Sequence, residues 1–207
     1  MKITMIYAAD MNNVIGKELH DGTRVMPWGL SLKEDLRYFK AYTIGKRVVM
    51  GSNTFASMDY TPLPKRVNIV LTRHIPLSWK IRHFFHLQGN LYYANNLIDA
   101  IEMTNHVSKL SPDIVIIGGA IVFETYKHLV DEIVVTRVEQ YTDLYPGTRP
   151  IKFNFDVMSM FNHGKMRFEK KESKTFEHDN SLNEGTKVRY TIERWTRVTM
   201  INNKDKK

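Results

Sequence analysis

An α/β fold with a mainly parallel central sheet is predicted by three features of the sequence. Apolar runs of strand length (KITMIYAA at 2–9, KRVVM at 46–50, RVNIVLT at 66–72, DIVIIGG at 113–119 and DEIVVTRV at 131–138) read as strands covered on both faces. Segments of helical period at 31–43, 96–111 and 120–129 alternate with them, which implies right-handed crossovers. Two alternating segments, MRFEKKESKTFEH and TKVRYTIERWTRV, read as a closing hairpin that adds an antiparallel edge.

In chain order, the first strand leads into a long stretch, ADMNNVIGKELHDGTRVMPW, read as a loop. Loops of that length inside a compact domain are usually functional, because they cost order and hide little surface. The helix at 31–43 follows, then the strand KRVVM and a short helix opened by GSNT. A Pro-rich turn enters the strand at 66–72, and the aromatic stretch RHFFHLQGNLYYA is expected to hold an extended segment or two. Asn96 stands where a helix over 96–111 needs its cap. IVIIGG then joins a strand to a helix through a Gly-Gly turn.

Composition bounds the function. The 207 residues suit a single domain, read here as 1–198 with a polar, basic tail at 199–207. There is no cysteine, which removes disulfides and thiolate metal sites and suits a reducing, cytoplasmic location; no metal site is expected. The N-terminus is too brief and too polar for a signal peptide, and no apolar run approaches the ~20 residues of a membrane span. A formal charge of +8 raises nucleic acid as a partner, but Lys and Arg are scattered and no basic-aromatic cluster occurs. Positive charge equally steers a small polyanionic ligand.

On the helix at 31–43, Leu32, Leu36 and Phe39 fall in one narrow arc expected to be buried. Asp35 lies about 65° from the centre of that arc and Glu34 about 165° from it. Glu34 is therefore read as a solvated residue paired with Arg37, three positions on. Asp35 borders the buried face, where a carboxylate must find hydrogen-bond donors or shift its pKa upward. That serves either a structural bond or an active-site acid. Two strand-to-helix junctions, VVMGSNTFASM and IVIIGGAIVFE, offer backbone N–H groups at the carboxyl ends of strands, where α/β sheets bind ligands. Ser52, Asn53 and Thr54 either cap their helix or bind a phosphate, and Gly118 and Gly119 let backbone approach a ligand closely.

With these pieces placed, the sequence resembles dihydrofolate reductase, and looks closest to the diverged forms of bacteriophages. The resemblance rests on VIG at 14–16, MPW at 26–28, DLRYFK at 35–40, VVMGSNTF at 48–55, LPKRVNIVLTR at 63–73 and IGGAIVFE at 117–124, all in order, and covers residues 3 to about 138. It implies a single-domain fold of that family and NADPH-dependent reduction of 7,8-dihydrofolate by a monomer or homodimer that binds no membrane. By the same resemblance Asp35 is the catalytic carboxylate that binds the pterin, with Thr136 beside it and Tyr38 near its bound water. Ile6, Tyr7, Leu36, Met58 and Leu63 line the substrate site, and Arg66 clamps the glutamyl carboxylate of folate as a fork. Strand propensity alone also explains Thr136, and packing alone explains Tyr38 and the apolar set.

For the cofactor, the resemblance implies Ala8, Ile15 and Gly16 at the nicotinamide, with a mobile lid ending at Met26, Pro27 and Trp28. Ser52, Asn53 and Thr54, then Leu71, Thr72 and Arg73, then Ile117, Gly118, Gly119, Ala120, Ile121, Val122 and Phe123 hold the remainder, and Gly118-Gly119 is implied to be cis. Departures from the family stand out at Ser52 and Ile121, where members often carry Arg or Lys for the 2′-phosphate; here Arg73 and His74 remain. Phe123 replaces the common Tyr. No site is assigned after residue 140. Two alternatives are kept: the pyrimidine reductase of riboflavin synthesis, which shares the fold, and a non-catalytic nucleic-acid- or assembly-binding relative.

Overall fold

A computed structural model describes residues 1–29, 31–78, 89–105, 111–142, 148–153, 167–179 and 187–198. The expected tail at 199–207, the first part of the aromatic stretch and the end of the 96–111 helix lie outside these residues. The elements are β1 Ile3–Ala9, β2 Val14–Glu18, β3 Arg24–Val25, α1 Lys33–Thr43, β4 Arg47–Gly51, α2 Ser52–Ala56, β5 Val67–Leu71, β6 Leu91–Ala94, α3 Leu97–Thr104, β7 Ile114–Gly118, α4 Ala120–Tyr126, β8 Glu132–Val138, β9 Arg149–Lys152, β10 Arg167–Asp179 and β11 Lys187–Val198.

Eight strands form one sheet in the order β10-β11-β8-β1-β7-β4-β5-β6. The pairs from β8 through β6 are parallel, and β11 and β10 add the expected antiparallel edge. Parallel strands must be covered on both faces, and two apolar clusters do this. Met5, Tyr7 and Ala9 point to a cluster shared with α3 and α4 through Leu97, Ala100, Val122 and Phe123. Ile6, Val48, Met50, Val70 and Val134 point the other way, against Tyr38, Phe39 and Tyr42 of α1 and Phe55 of α2. Asn96 caps α3 as expected, its side chain accepting from Asp99 N at 3.0 Å.

One expectation fails here. The long stretch after β1 is not all loop: β2 and β3 pair antiparallel with each other, and β2 pairs with β9. Asp10, only 4% exposed, holds the turn between β1 and β2. Its carboxylate accepts from Asn12 N, Val14 N and Thr142 N, each at 2.8 Å, and from the Thr142 hydroxyl. A buried carboxylate that accepts from three backbone N–H groups and a hydroxyl fixes the chain around it. Asp10 thereby ties the turn that enters β2 to Thr142.

Candidate active site

Helix α1 begins at Lys33 with Leu32 as its N-cap residue, and no side chain caps it. Leu32 is buried and draws the first turn onto the sheet. Asp35 sits on that turn, and Thr136 of β8 donates to its Oδ1 at 2.5 Å. Burial pushes the Asp35 carboxyl above its ordinary value, with the Thr136 hydroxyl pulling weakly the other way. In register, Thr136 is the β8 neighbour of Ala8 on β1. Paired residues of adjacent strands share a face, so Asp35 reaches the sheet one strand away from Ala8.

Ala8 itself lines a cleft of about 710 Å³ with Tyr7, Ile15 and Gly16. The two glycine turns line it as well: Gly51 to Thr54 at the start of α2, and Ile117 to Phe123 at the start of α4. Gly118 has φ +143°, which side-chain-bearing residues rarely adopt, and the Gly118-Gly119 peptide is cis. A Cβ at Gly118 would lie 3.0 Å from Thr54 Oγ1, and one at Gly51 would lie 3.1 Å from Val122 Cγ2. The two turns thus pack closely, and a Cβ at either would make Thr54 or Val122 give way by a few tenths of an ångström. The N-cap residues are Gly51 and Gly119, with no side-chain cap bond at either. Ser52, Asn53 and Thr54 therefore do not cap α2, and that reading is corrected.

Other expected residues divide. Met26, Met58 and Leu71 line the cleft. Ile6 is buried in the sheet cluster beneath α1 and α2, and Leu63 packs against it. Trp28, expected at the cofactor, is 5% exposed and packs with Leu32, Val138, Val188 and Tyr190. Tyr38 stacks on Tyr42, centroids 6.0 Å apart, and faces a second cavity of about 290 Å³ beside the β10–β11 hairpin. Thr72 and Arg73 lie outside the cleft lining; Thr72 Oγ1 accepts from His74 N at 3.1 Å. Ile121 lines the cleft and is largely exposed. Leu36, expected in the buried arc, is 52% exposed, because the helical period marks the side facing the sheet and not where the sheet ends.

Arg66 is 4% exposed and held from three sides: Nε donates to Thr43 Oγ1 at 2.8 Å, Nη1 to Pro64 O at 2.8 Å and Nη2 to Lys40 O at 3.2 Å. A guanidinium has five N–H groups, so two remain beyond these three bonds. Glu34 is corrected as well. Its Arg37 pair forms, at 3.4 Å, but its other oxygen accepts from Tyr190 Oη at 2.6 Å. That bond holds the Glu34 carboxyl below its ordinary value.

Sequence reasoning missed a charged group on the cleft rim. Glu18 of β2 accepts from Arg24 Nε at 2.9 Å and from Arg149 Nη2 at 2.7 Å, and all three line the cleft with Ile151. No sequence signal pointed there, since Arg24 stands six positions from Glu18 but Arg149 comes from 131 positions away. Among the described residues no cluster of His, Cys, Asp or Glu is arranged for a metal ion, and no helix is long and apolar enough to cross a membrane.

A cleft at the carboxyl ends of parallel strands, lined by two glycine turns, with a buried carboxyl of raised pKa one strand away, defines an α/β enzyme of the cofactor-binding kind. The family model for dihydrofolate reductase matches residues 2–197. The chain is 34% identical over 143 residues to the dihydrofolate reductase of Haemophilus influenzae, covering 69% of this chain and 76% of that one. Against the enzyme of Ureaplasma parvum it is 27% identical over 163 residues, 78% of this chain and 92% of the relative. A dihydrofolate reductase from Enterococcus faecalis complexed with NADP(H) and RAB-propyl shares the fold, with TM-score 0.65, 24% identity, and coverage of 96% and 97%. The chain belongs to the dihydrofolate reductase family and is an oxidoreductase. The match runs well past residue 138, through the hairpin.

Proposed function

We propose that the chain reduces 7,8-dihydrofolate to 5,6,7,8-tetrahydrofolate with NADPH, and that Asp35 is its acid–base group. Family membership supports the reaction, and the Asp35–Thr136 bond one strand from the cleft carries the assignment of the residue. When bound, NADPH supplies the hydride that is delivered to C6 of the pterin.

The chain's own residues do the rest. The closely packed turns at Gly51 and Gly118-Gly119 fit a pyrophosphate, since any Cβ there would meet Thr54 or Val122 within about 3.1 Å. Ala8, Ile15 and Gly16 border the nicotinamide end, and Met26 closes over it from the lid. Asp35 hydrogen-bonds the pterin, and the burial that raises its pKa favours its protonated form, from which a water passes the proton to N5. Thr136 fixes the carboxylate's orientation. The two remaining N–H groups of Arg66 hold the glutamyl carboxylate of the substrate. Arg24 and Arg149 are the cleft's cations, standing in for the basic residues that Ser52 and Ile121 lack.

The test is oxidation of NADPH by purified protein with and without dihydrofolate, with Asp35→Asn beside the parent. Dihydrofolate-dependent oxidation in the parent, falling by on the order of 10²-fold or more in Asp35→Asn, is expected. An inert parent, or an Asp35→Asn variant as fast as the parent, refutes the reading.

A further inference from the structure

The first turn of α1 carries Asp35 yet lacks a side-chain cap, so something else must hold it to the ångström. Successive residues of that turn each reach a hydroxyl on the sheet. Asp35 Oδ1 accepts from Thr136 of β8 at 2.5 Å, and Glu34 Oε2 accepts from Tyr190 of β11 at 2.6 Å. The two hydroxyls come from neighbouring strands, because Thr136 pairs with Ile192 and Val138 with Tyr190. Residues two apart on a strand share a face, so all four side chains lie on the face beneath α1.

Tyr190 is fully buried, stacked on Phe176 with centroids 5.6 Å apart and packed with Trp28, Leu32, Val138 and Val188. Its hydroxyl therefore has a fixed position and direction. Burial and the Glu34 carboxylate push the Tyr190 phenol well above its ordinary value, so the proton stays on the tyrosine and points at Glu34. The titratable and charged groups around the Glu34–Tyr190 pair are Arg37 and Asp35 on the same helix, His178 from β10, and Glu172, Lys174 and Arg194 of the hairpin, which line one cavity with Glu34.

We infer that Glu34 and Tyr190 are positioning residues for Asp35: their hydrogen bond pins the first turn of α1 to β11 and so sets the depth at which Asp35 meets Thr136 and the pterin. This rests on Asp35 being the acid–base group. Loosening the pin lets water reach Asp35, which weakens the burial that raises its pKa. The pH at which hydride transfer falls by half then moves toward acid.

The experiment is single-turnover hydride transfer as a function of pH, with thermal unfolding alongside, for the parent, Asp35→Asn, Tyr190→Phe, Glu34→Ala, Glu34→Gln and the double variant Tyr190→Phe/Glu34→Ala. Tyr190→Phe keeps the ring and its packing and loses only the hydroxyl. Expected are rates about tenfold lower for Tyr190→Phe and for Glu34→Ala, below the ~10²-fold of a full ångström's misplacement. The pH midpoint moves to lower pH in both, with kcat affected more than KM. Glu34→Gln, whose amide oxygen still accepts, keeps most of the rate. The double variant is no slower than the worse single variant, since both remove one bond. Parental rate and midpoint in Tyr190→Phe overturn the inference, as does a lowered Tm with an unmoved midpoint, or an additive double variant. If Asp35→Asn is itself unimpaired or the parent inert, the reading of Asp35 falls and takes the pin with it; an inactive Asp35→Asn beside a parental Tyr190→Phe removes the pin alone.

Discussion

Burial pushes the Asp35 carboxyl above its ordinary value, and that shift has a consequence for stability as well as for rate. Between the ordinary and the raised pKa the folded chain binds more protons at Asp35 than the unfolded chain does. Stability therefore falls as pH rises through that window and stays lower above it. Asp35→Asn removes this cost, so at pH 7 the variant should melt higher while its turnover collapses, and the gain should be smaller at pH 4. Calorimetry at both pH values checks the sign. Arg66→Lys should act in the opposite direction on stability while also impairing function. It abandons three internal bonds and a planar fork, so the KM for dihydrofolate should rise by about 10- to 100-fold and Tm should drop. Steady-state kinetics with thermal unfolding decide it. Asp35 was legible from helical period because a carboxylate on the margin of an apolar arc has few uses. Leu36 and Glu34 were misread by the same period, which knows the direction of the sheet but neither its edge nor a tyrosine 156 positions away.

The strand-to-helix junctions at Gly51 and Gly118 are elements whose shape depends on missing side chains. Gly118→Ala places a Cβ 3.0 Å from Thr54 Oγ1 at a φ of +143°, and both the clash and the backbone demand a local shift. NADPH binding should weaken by about tenfold or more, on the scale of a few kcal/mol of strain, while the sheet remains folded. Titration of NADPH fluorescence against circular dichroism separates the two. The long parallel strands were legible because a doubly covered strand is apolar along its whole length. The small sheet of β2, β3 and β9 was not. Its strands run two to five residues, carry Lys, Glu and Arg, and β2 and β9 meet only through a contact far along the chain. With it went the one charged rim of the cleft, Glu18 with Arg24 and Arg149.

At the scale of the whole molecule, Glu132 is the knot. It is 2% exposed, accepts from the Tyr42 hydroxyl of α1, and pairs with Lys2 Nζ at 3.2 Å and Arg194 Nη1 at 3.3 Å. The start of β1, the end of α1 and the hairpin thus meet on one buried carboxylate of β8. Glu132→Ala removes a shared partner, but Lys2 and Arg194 reach solvent, Arg194 keeps Glu172 and the Tyr42 hydroxyl keeps Thr4, so it should cost about 1 to 2 kcal/mol in chemical denaturation, still more than loss of an exposed pair such as Lys127–Glu124. The order of the strands has a further consequence, in time instead of energy. β1 lies between β7 and β8, whose pairing residues begin at Ile114 and Glu132, so the first strand made has neither neighbour until more than a hundred residues have followed it. At the ~5–20 residues per second of synthesis, MIYAA waits roughly 6 to 25 s on the ribosome as an unpaired apolar strand. During that interval the nascent chain is a natural client for a chaperone, and slowing translation before β8 should lengthen its exposure.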